Sequence, residues 1–499
     1  MPEVMSVTTE HGAVSGVESE GLHCFRNIPY AAPPFGKRRF LPPQPPEPWD
    51  GVRNGTTSGP AAPQPSGGDA LAALYSPATT GEDCLTLEVW TPDPSPEAKL
   101  PVVVHIHGGG YTFGAGSPPG YSGRTFARDG VVHVGINYRL GIDGFLFLGE
   151  GHDNLGLRDQ AAALEWVQRN IAAFGGDPSR VTIFGQSGGG VSVMLQLALP
   201  ASRGLFQGAI AQSGCSMATV DADEAMRITR QVAKGLGVAP TVEGLRDVPL
   251  DRTVKATFTA LTRFAALGLA LGDPRSLLLS PFRGVHDTAV LPRNPVESAG
   301  TSPGVPLMTG TTTNEMASLI EGITIAAPLA APFVRHGLKR ALRMDRTIVD
   351  AYANGRRRVH GLGALVEAGW TDWGFRIPTI RLVEARPEPS WLYEFRWQRD
   401  DVPPFTASHH AIDLPFARDD LATVAELGGD IGKRIFGTNP PQRLAEEFHA
   451  AFVDFATNGD PGWAPYDKTG GRVTKIFDTE SSIVNDAAGA EREAWSGRR

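Results

Sequence analysis

Apolar positions along the chain follow two periods, and the changes from one to the other mark its elements. Near the start, apolar and polar residues alternate over 7–9 and 13–17 on either side of the turn signal His11-Gly12. A third short run, 24–28, leads into the loop Ala32-Pro33-Pro34, and all three predict strands. Residues 42–68 are rich in Pro and Gly and read as a surface connection. Residues 85–90, 102–106 and 131–136 are continuous apolar, β-branched runs, the pattern of central strands buried on both faces.

From 157 to 174 the period changes to that of a helix. Ala161, Leu164, Trp166, Val167, Ile171 and Phe174 fall on a buried side, Arg158, Gln168 and Arg169 face out, and Gly175-Gly176 ends the run. A strand over 181–184 then meets the Gly-rich segment 185–190 and a helical run over 191–199. Residues 221–279 are mainly helical, with 257–271 apolar enough to cover a pocket, and a second helical stretch lies within 318–385. Strands are expected at 391–397 and 473–477, with a helix over 441–457 between them. Alternating strands and helices with helical insertions predict an α/β architecture.

Composition narrows the possible partners. Among 499 residues, 46 Lys and Arg face 54 Asp and Glu, a net charge of −8, and no basic stripe is present, so nucleic acid is not expected as a partner. No apolar run reaches the ~18 residues of a membrane span, so no membrane is expected as a partner either. Residues 1–9 lack the charged and apolar parts of a secretory signal, and a cytoplasmic location is expected. The three cysteines, Cys24, Cys84 and Cys215, are scattered and show no metal-ligand spacing; they are expected to be reduced thiols, with no bound metal.

The chemistry is concentrated in two glycine-rich segments. Gly185-Gln186-Ser187-Gly188-Gly189 lies between a predicted strand and a predicted helix. There a serine can sit on a sharp turn at a helix N-terminus, where free N–H groups and the helix dipole favour a developing anion. A phosphate-binding turn would need a Lys-Ser/Thr pair after the glycines, and none follows. Ser187 is therefore the expected nucleophile. His107-Gly108-Gly109-Gly110-Tyr111 directly follows the strand 102–106. Consecutive glycines let bare amides approach an oxyanion, so the amides of Gly109, Gly110 and Gly188 are the expected oxyanion hole.

Residues 174–189 fit throughout the nucleophile signature of the type-B carboxylesterase and cholinesterase family, and 82–90 fit its second signature except at Glu88. Further family-like segments occur at 25–31, 137–141, 211–214, 375–378 and 455–461. The chain thus resembles that family over nearly its whole length, in particular its bacterial para-nitrobenzyl-esterase-like members. The resemblance implies an α/β-hydrolase fold: a central, mostly parallel sheet flanked by helices, forming one catalytic domain over 1–499. Helical insertions at about 221–279 and 318–385 would lie over the active site.

The resemblance also implies Glu315 as the acid and His410 as the base, with His409 a rival disfavoured by register. It makes Ser213 a supporting hydrogen-bonder and Gln186 a neighbour of the nucleophile. The implied activity is hydrolysis of small to medium carboxylic esters through an acyl-enzyme, without cofactor or metal, a small-molecule ester being the partner; oligomeric state is left open. Carbamate or amide hydrolysis by the same triad, lipase action under a lid at 257–271, and a non-catalytic binding role are the alternatives. His410 is expected to start near the ordinary histidine pKa of ~6.5, and Tyr111, Phe113 and Phe416 are candidate pocket walls that could equally be core. Gln186-Ser187-Gly188 replaces the family's more usual Glu-Ser-Ala, and Met316 stands where Gly is usual. Cys84 sits where secreted relatives form a disulfide.

Overall fold

The structure, a computed structural model, describes residues 3–65, 74–214, 219–271, 280–299, 304–326, 331–354, 359, 361–399 and 407–498. The alternating start folds as β1 (Glu3–Thr9), β2 (Gly12–Ser19) and β3 (Leu22–Pro29), an antiparallel meander with the short β4 (Val52–Arg53) beside β2. β5 (Thr86–Thr91), β6 (Leu100–Ile106) and β7 (Val132–Ile136) are the three apolar runs, and almost every residue in them is buried. β8 (Gly176–Gln186) and β9 (Gly208–Gln212) follow, and β10 (Thr219–Asp221) and β11 (Gly284–His286) form a separate parallel pair. β12 (Leu307–Thr312), β13 (Ser390–Phe395), β14 (Val473–Phe477) and β15 (Ser482–Asn485) complete the main sheet.

Among the described residues that sheet has 13 strands, ordered β1-β2-β3-β5-β7-β6-β8-β9-β12-β13-β14-β15 with β4 off the path. From β7 to β14 every pairing is parallel, and antiparallel strands close both sides. Register aligns the ends of the parallel strands: Ile106 lies opposite Gly185, Gln186 opposite Gln212, and Gln212 opposite Gly310. In open α/β sheets, sites form beyond these carboxyl ends.

Helices cover both faces. α1 (Leu155–Asn170) and α2 (Gly188–Ala198) bury Leu164, Trp166 and Leu195 in one core with Phe25 and Phe174. α3 (Ala222–Leu236) and α4 (Leu250–Leu271) belong to the first helical insertion. α3 begins at Asp221, whose side chain accepts from Glu224 N–H at 2.7 Å, and ends at Gly237 with φ 74°, local devices that stop a helix cleanly at both ends. α5 (Leu362–Thr371) runs into a π-helical turn over Asp372–Arg376 and packs on a core of Met316, Tyr352 and Trp370. On the opposite face, α6 (Gln442–Asn458) brings Phe448, Phe452 and Phe455 against Phe184 and Tyr393. Each such aromatic buried contributes ~1.5–3 kcal/mol relative to exposure.

Some boundaries differ from expectation. The helical run 157–174 is α1 followed by a 3-10 turn, Ile171–Phe174, which Gly175 ends at φ 82°. The strand expected at 181–184 extends back to Gly176 because Leu100 pairs with it across β6. The strand expected at 391–397 spans Ser390–Phe395. Cys24 and Cys84 are buried and free, whereas Cys215, like 272–279 of the first insertion, lies outside the described residues. No helix among the described residues is long and apolar enough to cross a membrane.

Candidate active site

Ser187 sits where β8 becomes α2, at φ 57° and ψ −121°, a combination that costs an L-residue energy and persists only when its surroundings enforce it. Two backbone hydrogen bonds do so: Ser187 N–H donates to Gln212 O at 3.0 Å and Val191 N–H to Ser187 O at 2.8 Å. Glycines make the room. A Cβ on Gly185 would lie 2.6 Å from Ile106 O, and one on Gly189 only 2.0 Å from the same oxygen. Although Ser187 is the N-cap of α2, its side chain makes no capping bond, so its oxygen is left at the positive end of that helix.

The loop 107–111 packs on this turn. A Cβ on Gly108 would meet Gln186 O at 2.7 Å, and one on Gly188 would stand 3.0 Å from Gly110 N. Gly109 (φ 106°) and Gly110 (φ 57°) both adopt left-handed backbone, and among the described residues neither amide has a recorded acceptor. Buried His107 holds the loop: Nδ1 donates to Gly108 O at 2.8 Å, its carbonyl accepts from Tyr138 O–H at 2.8 Å, and the two rings stack at 4.3 Å. Burial pushes the His107 pKa down to about 4, against the opposing bond to Gly108, so the imidazole stays neutral. Gly188 and Gly110 thus lie side by side next to Ser187, with Gly109 in the same loop.

Glu315 follows β12, and a bridge between Asn314 and His409 brings the segment carrying His410 alongside. Glu315, 3% exposed, is surrounded by donors: His410 Nδ1 lies 2.5 Å from Oε2, Ser213 Oγ donates to Oε1 at 2.7 Å, and Thr312 N–H donates to Oε1 at 2.8 Å. A carboxylate only accepts, so Nδ1 carries the proton and Nε2 is left as an acceptor. Nε2 faces the Gln186 side-chain nitrogen at 3.2 Å, and no hydrogen bond from Ser187 Oγ to His410 is recorded. Burial resists charging of His410, but the charge and hydrogen bond of Glu315, with Asp413 behind, outweigh it and hold its pKa above the ordinary value. The expectation of a value near ~6.5 is corrected upward.

His409, the rival, turns away. Its Nδ1 meets His410 O at 3.1 Å, burial lowers its pKa, and it is 8% exposed. Phe416 is fully buried core, Tyr111 is buried against Phe145, and Phe113 is half exposed.

Several supporting residues escaped the sequence reading. Arg376 donates to Thr312 O and Thr313 O at 3.1 Å each and pairs with Asp372, clamping the strand end before Glu315. Glu367 accepts from Asn314 at 2.8 Å and from Thr371 at 2.7 Å. Asp413, fully buried, accepts from Gln212 at 3.0 Å through one oxygen, and burial followed by the charge of Glu315 pushes its pKa to about 7. Arg376 falls in the family-like segment 375–378; nothing local marked Arg376 or Asp413 as supports. Among the described residues, no cluster of His, Cys, Asp and Glu is arranged to hold a metal.

The profile of the carboxylesterase family matches residues 3–487. The chain is 35% identical over 510 residues to the para-nitrobenzyl esterase of Bacillus subtilis (strain 168), covering 98% of this chain and 97% of that one. It is 34% identical over 517 residues to the phenmedipham hydrolase of Pseudarthrobacter oxydans, covering 96% of each. The crystal structure of a Geobacillus stearothermophilus carboxylesterase superposes with a TM-score of 0.82 at 33% identity, covering 98% of this chain and 100% of the other.

Proposed function

The chain belongs to the carboxylesterase family and is a carboxylic ester hydrolase of the α/β-hydrolase fold; from that premise we propose that Ser187, His410 and Glu315 form its catalytic triad. Ser187 Oγ attacks the ester carbonyl as His410 Nε2 takes its proton. The imidazolium so formed is stabilised by Glu315, which already holds Nδ1, and the oxyanion is received by the amides of Gly109, Gly110 and Gly188. Collapse of this intermediate passes the proton from His410 to the departing alcohol and leaves an acyl-Ser187 ester. Water, deprotonated by the same imidazole, then releases the acid.

The observation that carries this reading is the 2.5 Å contact between His410 and Glu315, with the unprotonated Nε2 turned toward the residue preceding Ser187. In the resting enzyme Gln186 occupies Nε2, and the imidazole passes from that amide to Ser187 Oγ when substrate arrives; catalytic hydrogen bonds commonly tighten only then. Small to medium esters are the substrates we assign, within a single catalytic domain. The buried free thiols of Cys24 and Cys84 support a cytoplasmic location.

Wild type and Ser187→Ala are to be compared on short-chain p-nitrophenyl esters at neutral pH. Wild type turns over, and the alanine variant falls by roughly 10⁴-fold or more while remaining folded. Equal activity of the two proteins would remove Ser187 from the mechanism.

A further inference from the structure

We propose that the cleft between α3 and α4 binds a single-chain anionic amphiphile, specifically a fatty carboxylate, at a place separate from Ser187. The cleft, open to solvent along one side, has a volume of about 1030 Å³, at the upper end of the ~300–1,000 Å³ of small-molecule sites. Among the described residues its charged lining is of one sign: Lys234, Arg252, Lys255 and Arg263 line it, and no Asp or Glu does. Its floor is apolar, formed by Ile228, Ala256, Ala260 and Phe264, all left partly exposed.

Of the four cations, Arg252 donates to Leu236 O at 2.9 Å and so caps the end of α3. Among the described residues no carboxylate or hydrogen-bond acceptor is recorded for the side chains of Lys234, Lys255 or Arg263. Three unpaired cations above an apolar trough favour a ligand with one anionic head and one hydrocarbon tail. A compact inorganic anion would leave the trough wet, and a neutral hydrocarbon would leave the cations unmatched.

The site is distinct from the catalytic residues but joined to them through α4. On the other side of that helix, Thr257 Oγ1 accepts from Ile142 N–H at 3.3 Å. The adjacent Gly141 N–H donates to Tyr111 O at 2.7 Å, one residue beyond Gly110.

Dodecanoate, kept below its micelle concentration, is titrated into the full-length protein by calorimetry, before and after Ser187 and its surroundings are blocked with an organophosphonate. The expected result is one saturable site that survives the block and weakens as salt rises. The triple variant Lys234→Glu/Lys255→Glu/Arg263→Glu is expected to weaken it at least tenfold, as is the separate cleft-filling Ala260→Trp, with p-nitrophenyl acetate turnover unchanged in both. The proposal is overturned if binding is lost on blocking the catalytic site, if both variants bind as wild type does, or if dodecanol binds as tightly as dodecanoate.

Discussion

The two halves of the proposed site are held in place by opposite means. Around Ser187 the geometry rests on side chains that are missing: Gly185 and Gly189 let α2 close against Ile106, and Gly108 lets the next loop lie on Gln186. Around Glu315 it rests on side chains that converge from distant segments. Ser213 bonds to the carboxylate, Arg376 clamps the carbonyls before it, and Asn314 is tied to Glu367. One half should therefore fail when an atom is added and the other when a polar partner is removed.

The largest effect is expected in the second half. Glu315→Gln keeps the shape but offers His410 Nδ1 an amide in place of a carboxylate, and kcat should fall by about 10⁴-fold with the melting temperature little changed. Turnover and thermal unfolding, measured on the same preparation, check this.

Next comes the addition of one methyl to the glycine-built half. Gly189→Ala drives a Cβ into Ile106 O, and backbone cannot yield as a flexible side chain would. Destabilisation of about 1–3 kcal/mol is expected, together with roughly a hundredfold loss of activity from displacement of Ser187. Gly204→Ala, outside the site, is the control, because its Cβ would meet no atom within 4 Å; it suffers only backbone strain of about 1–2 kcal/mol at its positive φ. Comparable damage from the two substitutions would break the steric argument.

A smaller effect is expected for Ser213→Ala. The hydrogen bond removed is to a charged group, worth about 1.5–3 kcal/mol, but Thr312 N–H and His410 still hold Glu315. A loss of about tenfold in kcat, with KM nearly constant, follows from the low end of that range.

The same contrast explains what could be read from the sequence. The Ser187 half is local, since strand, glycines and helix succeed one another between 176 and 198, and each leaves its own period or spacing. The core strands β5, β6 and β7 were legible for a similar reason, as apolar runs buried on both faces. β9 was not, because Gly208-Ala-Ile-Ala-Gln212 carries a single β-branched residue and takes its strand form from its neighbours β8 and β12. Glu315 and His410 were located by family resemblance and not by any local pattern. Arg376 reaches Thr312 across 64 positions of chain, and Gln212 reaches Asp413 across 201; no window on the sequence contains both ends.

The smallest effect expected is on pH. His410 acts as a base only when neutral, and its pKa lies above the ordinary histidine value. The acid limb of kcat/KM should therefore rise through a midpoint above ~6.5. Asp413→Asn removes one of the charges that raise this pKa, so the limb should move to lower pH by less than one unit; a shift to higher pH would contradict the sign.

The central claim is that acyl transfer passes through Ser187 with the Glu315–His410 pair as its base, and covalent labelling tests it most directly. The protein is treated with a fluorophosphonate, residual esterase activity is followed, and the modified peptide is located by mass spectrometry. The account predicts one adduct per chain on Ser187, formed in step with loss of activity and strongly slowed in Glu315→Gln. An adduct on another residue that tracks the loss of activity, or full activity in protein labelled at Ser187, would contradict it.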